Sequence, residues 1–387
     1  MKKLILIKFG ELTTKKGNRK IFISLLRKNI KELIKEDIKI ISDRVRMYIE
    51  TDEIDVVVEK LKKVSGIHGI TVCYKTTNDV DDIKKIALEV MSESVGKTFK
   101  VKVKRADKRF EIRTMEFNDI LGGLILRNTD FKVDVKKPDI LLNIEIREEG
   151  TFVYTNEIRG MGGYPVGVQG KGILMLSGGL DSPVAGYLAM RKGIDVICLY
   201  FDSPPHTSVQ AKNKVINLTN VLNQYSGRVK LIVVPFTNIQ EEIYKKVPIS
   251  YNITIMRRMM YRIAEKIMKR QKAKVIINGE SIGQVASQTL DSMMVINEVV
   301  KSPVIRPVSC LDKLVIIDMA QKIKTHDISI EPFEDCCTIF LAKSPIIKPK
   351  LEICVEYEKV LEIEKLVEEA VENIEIISEF NKKNELL

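Results

Sequence analysis

Ten consecutive residues, LMLSGGLDSP, join a short apolar run to groups that could bind phosphate. Residues 173–176 are apolar and predict a buried strand. Pro183 suits the first position of a following helix, with Ser182 as its N-cap. The two glycines between them permit a tight turn that exposes backbone N–H groups at a helix N-terminus. The pattern therefore predicts an anion-binding loop.

Alternative loop types do not fit these residues as well. A Walker loop requires a lysine after its glycines, and none follows Gly179. A nucleophile elbow requires GxSxG, but Met175 occupies the first glycine position. A simple strand-to-helix turn would tolerate SGG but has no use for Asp181. The SGGxDS pattern instead resembles the PP-loop ATP pyrophosphatases, which grip the pyrophosphate of ATP and transfer AMP to an oxygen.

Other segments extend the resemblance over nearly the whole chain. They are GELTTKKGNR, GMGGYPVG, YFDSPPHTS, MRRMMYR, NGESIGQVASQTL, PVIRPV and DCCTIF, in that order. The same segments in the same order are typical of the tRNA 4-thiouridine synthetases (tRNA sulfurtransferases), which this chain resembles. In that family, ATP adenylates the C4 oxygen of uridine 8 of a tRNA, and a persulfide sulfur then displaces AMP.

The resemblance implies a set of ATP-binding positions and two catalytic ones, Asp181 and Cys336. The ATP-binding positions are Met175, Leu176, Ser177, Gly178, Gly179, Asp181, Ser182, Tyr200, Phe201, Arg257, Gly279 and Gln288. A carboxylate beside phosphates repels them unless a cation intervenes, so we infer that Mg²⁺ accompanies ATP at Asp181. We predict no structural metal, because no Cys or His pair has zinc-ligand spacing.

The helix predicted for ITIMRRMMYRIAEKIMKR carries two adjacent arginines. Arg257 shares a helical column with Tyr261 and other apolar residues, which predicts the more buried side. Arg258 aligns with Arg262 and Glu265, which predicts a solvated face. We therefore favour Arg257 as the nucleotide ligand, with Arg258 as the alternative.

Two adjacent cysteines, Cys336 and Cys337, are the candidates for carrying sulfur, and the resemblance assigns the role to the first. Neighbouring Glu334 and Asp335 disfavour a thiolate unless cations lie close to it. Adjacent cysteines without CxxC spacing also make an iron–sulfur cluster a minor alternative. The remaining cysteines are predicted to lie in the core: Cys73, Cys198, Cys310 and Cys354.

A basic stretch, KTFKVKVKRADKRFEIR, carries eight Lys and Arg residues against two acids. Its alternation predicts a strand with apolar side chains on one face and cations on the other. Such a face could neutralise several phosphates, although charge alone leaves a solvated strand equally open. The resemblance places it in an RNA-binding THUMP domain and so favours RNA contacts at Lys100, Lys102, Lys104, Arg105, Lys108 and Arg109.

The predicted fold is α/β. Its C-terminal part is a doubly wound parallel sheet, because continuous apolar strands alternate with helices. The resemblance implies that this sheet is of the PP-loop (adenine nucleotide alpha hydrolase-like) type and that two smaller α+β domains, ferredoxin-like and THUMP, precede it. One strand is expected across IKIISDRVRMYIE. The predicted bounds are 1–57 (ferredoxin-like), 58–160 (THUMP), 161–172 (a glycine-rich linker) and 173–387 (the PP-loop domain with a C-terminal helix).

Composition narrows the functional class. The chain has 387 residues, a net charge of +11 and 45% hydrophobic residues, which favours a globular protein with an anionic partner. The sequence shows neither a signal peptide nor a membrane span, so we expect a cytoplasmic protein with no membrane partner. The resemblance implies that its partner is tRNA.

Several hypotheses stay open at this stage. The chain ends about fifty residues after Cys337, so we expect no rhodanese domain and expect sulfur from a cysteine desulfurase or from free sulfide. The resemblance suggests a homodimer. Alternatives are a PP-loop enzyme that modifies another tRNA nucleobase and a non-catalytic tRNA-binding protein. A THUMP-bearing methyltransferase is disfavoured because the PP-loop takes the place of its cofactor site.

Overall fold

The computed structural model describes residues 2–10, 17–42, 46–333 and 344–380. Two compact units divide the chain, residues 1–164 and residues 165–387. No helix in the described ranges is both long enough and apolar enough to cross a membrane.

The first unit contains one mixed sheet and four helices within its described residues. Its strands are β1 (Lys2–Lys8), β2 (Lys39–Ser42), β3 (Arg46–Glu50), β4 (Gly69–Thr76), β5 (Thr98–Arg105), β6 (Lys132–Val133), β7 (Ile140–Arg147), β8 (Gly150–Tyr154) and β9 (Ile158–Arg159). Its helices are α1 (Arg19–Leu33), α2 (Ile54–Leu61), α3 (Val80–Ser92) and α4 (Thr114–Asn128).

These strands are ordered β2-β3-β1-β4-β8-β7-β5-β6, and β9 also pairs with β4. Because β4 is antiparallel to both β1 and β8, the parts predicted as two small α+β domains share a continuous sheet. Helix α2 spans the predicted boundary at residues 57 and 58. A buried ion pair, in which Arg46 donates to Glu145 over 2.7 Å, links β3 to β7.

One element differs from the sequence prediction in this unit. The stretch expected to form a single strand forms β2 and β3, which pair antiparallel with Ile41 opposite Tyr48. An alternating pattern has the same period in one long strand and in two paired strands, so it does not reveal the reversal of the chain.

The second unit contains six strands and nine helices in its described part. The strands are β10 (Gly170–Met175), β11 (Ile194–Asp202), β12 (Leu231–Pro235), β13 (Val275–Ile277), β14 (Val304–Ile305) and β15 (Glu375–Ile377). The helices are α5 (Asp181–Arg191), α6 (Val209–Asn223), α7 (Thr237–Lys246), α8 (Asn252–Arg270), α9 (Leu290–Asn297), α10 (Lys313–Lys322), α11 (His326–Ser329), α12 (Leu351–Glu358) and α13 (Ile363–Glu372). Short 3-10 turns cover Ile249–Tyr251 and Ala286–Gln288.

The sheet of this unit is ordered β14-β13-β10-β11-β12-β15 and is parallel except at β15. Alternate residues of β10 enter two separate cores. Ile173 packs with α7, α8, α9, α12 and α13 on one face, and Leu174 packs with α5, α6 and α10 on the other. Helices therefore cover both faces, which confirms the predicted doubly wound α/β fold. Strand β10 begins at Gly170, earlier than expected.

The strand order also locates a cleft. From β10 the chain proceeds to β11 and β12 on one side and then returns to β13 and β14 on the other. The carboxyl ends of β10 and β13 thus flank the point at which the winding direction reverses. In open parallel sheets, this crevice is the usual ligand site.

Candidate active site

The loop between β10 and α5 is held closed by two serines. The Ser177 amide donates to the Ser182 hydroxyl over 3.0 Å, and that hydroxyl lies 3.1 Å from both the Ser177 carbonyl and hydroxyl oxygens. Helix α5 begins at Asp181, with Leu180 at the N-cap and no side-chain cap. The predicted N-cap role of Ser182 is therefore wrong, because its hydroxyl closes the loop instead.

The loop glycines provide space rather than an unusual backbone conformation. Neither Gly178 nor Gly179 has a positive φ. A Cβ atom at Gly179 would meet only the Ser177 hydroxyl, at 3.6 Å. The open volume therefore lies at the N-terminus of α5, where partly positive backbone N–H groups favour an anion.

Gly279, which follows β13, is required for a different reason. A Cβ atom there would lie 2.5 Å from the Ser182 amide nitrogen and 2.7 Å from the Asp181 carbonyl carbon. These are backbone atoms of the first turn of α5, which cannot move aside cheaply. The loop after β13 thus packs directly on the anion-binding loop.

Replacing Gly279 by alanine is expected to push these two loops apart and to weaken ATP binding by roughly 10–100-fold, because overpacking a close contact typically costs about 1–3 kcal/mol. Isothermal titration with ATP and Mg²⁺ measures the effect. The matched control is Gly122→Ala on α4, because no atom lies within 4 Å of a Cβ there and its φ is not in the positive range. Equal ATP affinity for Gly279→Ala and the parent protein would contradict this packing argument.

Asp181 is held by two residues that the sequence analysis did not single out. Lys313, at the start of α10, donates to Oδ1 over 2.8 Å, and Gln284 donates to Oδ2 over 3.1 Å. Lys313 therefore brings a positive charge to the helix N-terminus from a distant part of the chain. No local sequence pattern marks it.

The cleft has a volume of about 410 Å³, within the range common for small-molecule sites. The structure places together almost all of the predicted ATP-binding positions, and only Gly178 is not among the lining residues. Those lining the cleft are Met175, Leu176, Ser177, Gly179, Asp181, Ser182, Tyr200, Phe201, Arg257, Gly279 and Gln288. Lining residues that the sequence analysis missed are Met260, Asn278, Glu280, Gln284 and Val285.

The two ends of the cleft differ in chemistry. Met175, Tyr200 and Phe201 are buried and form an apolar wall suited to a flat aromatic ring. Ser177 and Asp181 provide the polar end, beside the helix N-terminus. Gln288 is buried, and its side-chain oxygen accepts a hydrogen bond from the Ser281 amide over 3.3 Å, which shapes the loop after β13.

The structure corrects the prediction for the two adjacent arginines. Arg258 is only 1% exposed and donates to Glu358 over 2.8 and 3.0 Å, so its predicted solvated face is wrong. Helices α9, α12 and α13 also pack against α8, and a helical column cannot reveal such later elements. Arg257 lines the cleft, whereas Arg258 binds Glu358 away from it.

The described cysteines divide into two groups. Cys73, Cys198 and Cys354 are buried, and burial raises the thiol pKa of Cys198 to about 12 and of Cys354 to about 11. Cys310 is exposed, so its predicted core position is wrong. Cys336 and Cys337 lie outside the described residues, and within the described ranges no three His, Cys, Asp or Glu residues are grouped to hold a metal.

The basic strand predicted for RNA is β5, and its cations have different surroundings. Lys102, Lys104 and Lys108 are exposed. Lys100 donates to the Val135 carbonyl over 3.1 Å. Arg105 donates to the carbonyls of Phe110 and Ile112, and Arg109 pairs with Asp107.

Family comparisons agree with this architecture. The profile described as "Thiamine biosynthesis protein (ThiI)" matches residues 167–363. The THUMP domain matches residues 77–156, and the ThiI ferredoxin-like domain matches residues 4–71. A probable tRNA sulfurtransferase of Geobacillus kaustophilus is 49% identical over 380 residues, covering 96% of this chain and 95% of the relative.

The chain belongs to the ThiI family of tRNA sulfurtransferases. A second ThiI relative, a probable tRNA sulfurtransferase of Thermoanaerobacter sp. strain X514, is 48% identical and covers 97% of this chain and 99% of its own. A crystal structure of a 4-thiouridine synthetase–RNA complex with bound ATP matches with a TM-score of 0.92 and 37% identity, covering 97% of this chain and 99% of that one. The expected combination of ferredoxin-like, THUMP and ThiI domains is therefore confirmed.

Proposed function

We propose that this chain uses ATP to adenylate the C4 oxygen of uridine 8 in tRNA and then installs sulfur from a cysteine persulfide, which forms 4-thiouridine. One observation carries the proposal: the SGGLDS loop and the loop after β13 meet at the crevice where the winding of the sheet reverses. The 37% identical relative with bound ATP and RNA supports the same assignment.

Adenylation would give the C4 carbon of uridine the good leaving group that it lacks. A carbonyl oxygen is a poor leaving group, whereas AMP is a good one. The polar end of the cleft would bind the pyrophosphate of ATP through the loop N–H groups and Ser177, with Lys313 supplying positive charge. The apolar wall of Tyr200 and Phe201 would hold adenine.

Asp181 also fits an ATP-bound Mg²⁺. Mg²⁺ is usually bound by one or two carboxylates together with phosphate oxygens and water, and Asp181 supplies a carboxylate at the polar end. When bound, the ion would neutralise phosphate charge and stabilise the departing pyrophosphate. Lys313 and Gln284 each donate to one carboxylate oxygen and so fix the position of Asp181 at this end of the cleft.

The nucleotide products decide the reaction type. Purified protein is incubated with ATP and Mg²⁺, with and without unmodified tRNA, and the products are separated by chromatography. AMP and pyrophosphate that form only with tRNA support adenylation of the nucleobase. ADP, or no turnover with bound tRNA, contradicts it and favours the tRNA-binding alternative. Nucleoside mass spectrometry then distinguishes 4-thiouridine from modification of another base.

The sulfur donor that suits a persulfide route is a cysteine desulfurase. Transfer to Cys336 would leave a terminal sulfur that attacks C4 of the adenylated uridine, breaks the C4–O bond and releases AMP. A second thiol would then attack the Cys336 sulfur of the resulting disulfide, which frees 4-thiouridine and leaves a disulfide that an added thiol reductant returns to the thiol state. The proposal also includes a cytoplasmic location and a homodimer, and sedimentation of the purified chain tests the latter.

Contacts with tRNA are proposed at the exposed cations of β5. Replacing both Lys102 and Lys104 by alanine is expected to weaken tRNA binding and to reduce the magnitude of the slope of log affinity against log salt by about 1.4–1.8, since each lost phosphate contact lowers it by about 0.7–0.9. Fluorescence anisotropy over a salt series measures both quantities.

The matched control for this prediction is Lys84→Ala on α3, whose ammonium already lies 2.9 Å from Asp81. It removes a charge from the same domain but no exposed cation of β5. An unchanged salt slope in the double variant would exclude this face from the RNA interface.

A further inference from the structure

A buried carboxylate lies in the wall of the cleft. Glu280 follows Gly279 and is 2% exposed. Its Oε2 accepts hydrogen bonds from Arg306 over 2.7 Å, Asn278 over 2.8 Å and Tyr261 over 3.2 Å. Burial and the adjacent Glu280 carboxylate raise the pKa of Tyr261, so its hydroxyl keeps its proton and remains a donor. Three donors on one oxygen fix the plane of the carboxylate.

The second carboxylate oxygen has different surroundings. No described residue donates a hydrogen bond to Oε1 of Glu280. The closest cation recorded for it is the Arg257 guanidinium, with a nitrogen at 3.9 Å, too far for a hydrogen bond. A buried charged acceptor without a donor is costly, so the oxygen favours any donor that approaches it.

Arg257 is the side chain that could donate a hydrogen bond to Oε1 of Glu280 after a small movement. Its side chain is 18% exposed and lines the cleft, so one edge of the guanidinium is within reach of a ligand while another faces Oε1. A guanidinium has five donors in a rigid fork and can bind a carboxylate and a phosphate together.

We infer that Glu280 is a positioning residue that orients Arg257 toward the phosphates of ATP. The inference rests on the proposed function, since it assumes that Arg257 contacts ATP. A guanidinium fixed by a buried carboxylate is pre-organised for its ligand, whereas one held only by solvent must be ordered during binding.

The variant Glu280→Gln probes this role sharply. The three donors at Oε2 require an acceptor, so the amide oxygen takes that position. The amide NH₂ group is then directed at Arg257, donor against donor. The side chain keeps its size while its interaction with Arg257 changes from attractive to repulsive.

ATP affinity, measured by isothermal titration, is the primary readout because it does not depend on turnover. Loss of a residue that orients a metal-binding side chain commonly costs about 10–100-fold in affinity, and we expect Glu280→Gln, which disturbs Arg257 in the same way, to weaken ATP binding by about that factor. In an Arg257→Ala background, the same change should weaken binding less than about threefold. Equal affinity for Glu280→Gln and the parent, or fully additive losses in the double variant, would overturn the inference.

Glu358→Gln is the matched control for loss of a buried charge. Glu358 is also buried and binds Arg258, the neighbour of Arg257 on the same helix, but does not line the cleft. It should lower the thermal unfolding midpoint without changing ATP affinity. If Glu280→Gln does not fold, Glu280→Asp is used in its place. The shorter side chain keeps the carboxylate charge for Arg306 but withdraws the second oxygen from Arg257. ATP affinity is then measured for this variant in the parent and in the Arg257→Ala background, as a double-mutant cycle. If both Glu280 variants weaken ATP binding no more than Glu358→Gln does, a positioning role is excluded.

The experiment separates this inference from the proposed function. If the parent protein binds ATP but releases no AMP with tRNA, the adenylation proposal fails while the binding cycle still tests Glu280. If AMP forms normally and the cycle shows no coupling, the role of Glu280 fails alone.

Discussion

Replacing Asp181 by asparagine is expected to slow AMP formation at least about 100-fold while tRNA affinity stays unchanged. Asparagine keeps the size of the side chain but removes the charge that pairs with Lys313 at 2.8 Å and that would bind an ATP-associated cation. Loss of one electrostatic contact to the reacting group commonly costs 10²–10³ in rate. Chromatography of AMP and anisotropy with labelled tRNA measure the two halves of the prediction.

Asp195→Asn serves as the control for Asp181→Asn. Asp195 lies near the start of β11 and pairs with Arg228, so the change removes a charge at the amino-terminal end of the strand, away from the cleft. Unaltered AMP formation by the Asp181 variant would refute the site assignment. A parallel loss of tRNA binding would instead indicate that the variant has lost its fold.

Replacing Cys336 by serine is expected to leave adenylation intact and to abolish thiolation. A serine hydroxyl cannot carry a persulfide, whereas the cleft that would bind ATP is assembled from other residues. AMP formation and the 4-thiouridine content of the tRNA are measured in the same reaction, supplied with a cysteine desulfurase and cysteine. We expect AMP release near that of the parent and no detectable thiolated nucleoside.

Two further cysteine variants complete this comparison. Cys337→Ser tests the neighbouring thiol, and Cys310→Ser tests the exposed thiol among the described cysteines. Thiolation that survives in Cys336→Ser but disappears in Cys337→Ser would move the role to the second cysteine. Buried thiols with raised pKa values, such as that of Cys198, are poor nucleophiles and need no variant.

The strand, loop and helix order around the cleft was predictable because it depends on consecutive residues. The strand, loop and helix around Ser177 follow from consecutive residues, and most cleft residues predicted from the family resemblance do line one cleft. The detail of the loop was not predictable, because Ser182 could cap α5 or bond back to Ser177. Only the folded geometry decides between these hydrogen bonds.

The sequence failed where distant segments meet. Lys313 reaches Asp181 from the start of α10, more than a hundred residues along the chain, and no spacing rule connects them. The local helical pattern predicts that Arg258 faces solvent. In the structure Arg258 is buried, because its partner Glu358 comes from α12, far beyond α8 in the chain. Cys310 occupies an apolar stretch but is exposed, since hydrophobic neighbours in sequence do not guarantee a buried side chain.

The sheet shared by the two small domains limits how this chain can be divided. Strand β1 pairs with β4 along its whole length, from Lys2 opposite Lys75 to Lys8 opposite Gly69. A protein shortened to begin at the predicted THUMP domain would leave that side of β4 as an open edge, which invites pairing between molecules. It would also leave the Glu145 carboxylate buried without its partner Arg46. The ferredoxin-like and THUMP parts are thus separate in name but share one sheet and one buried ion pair, so we expect a cut between them to destabilise both.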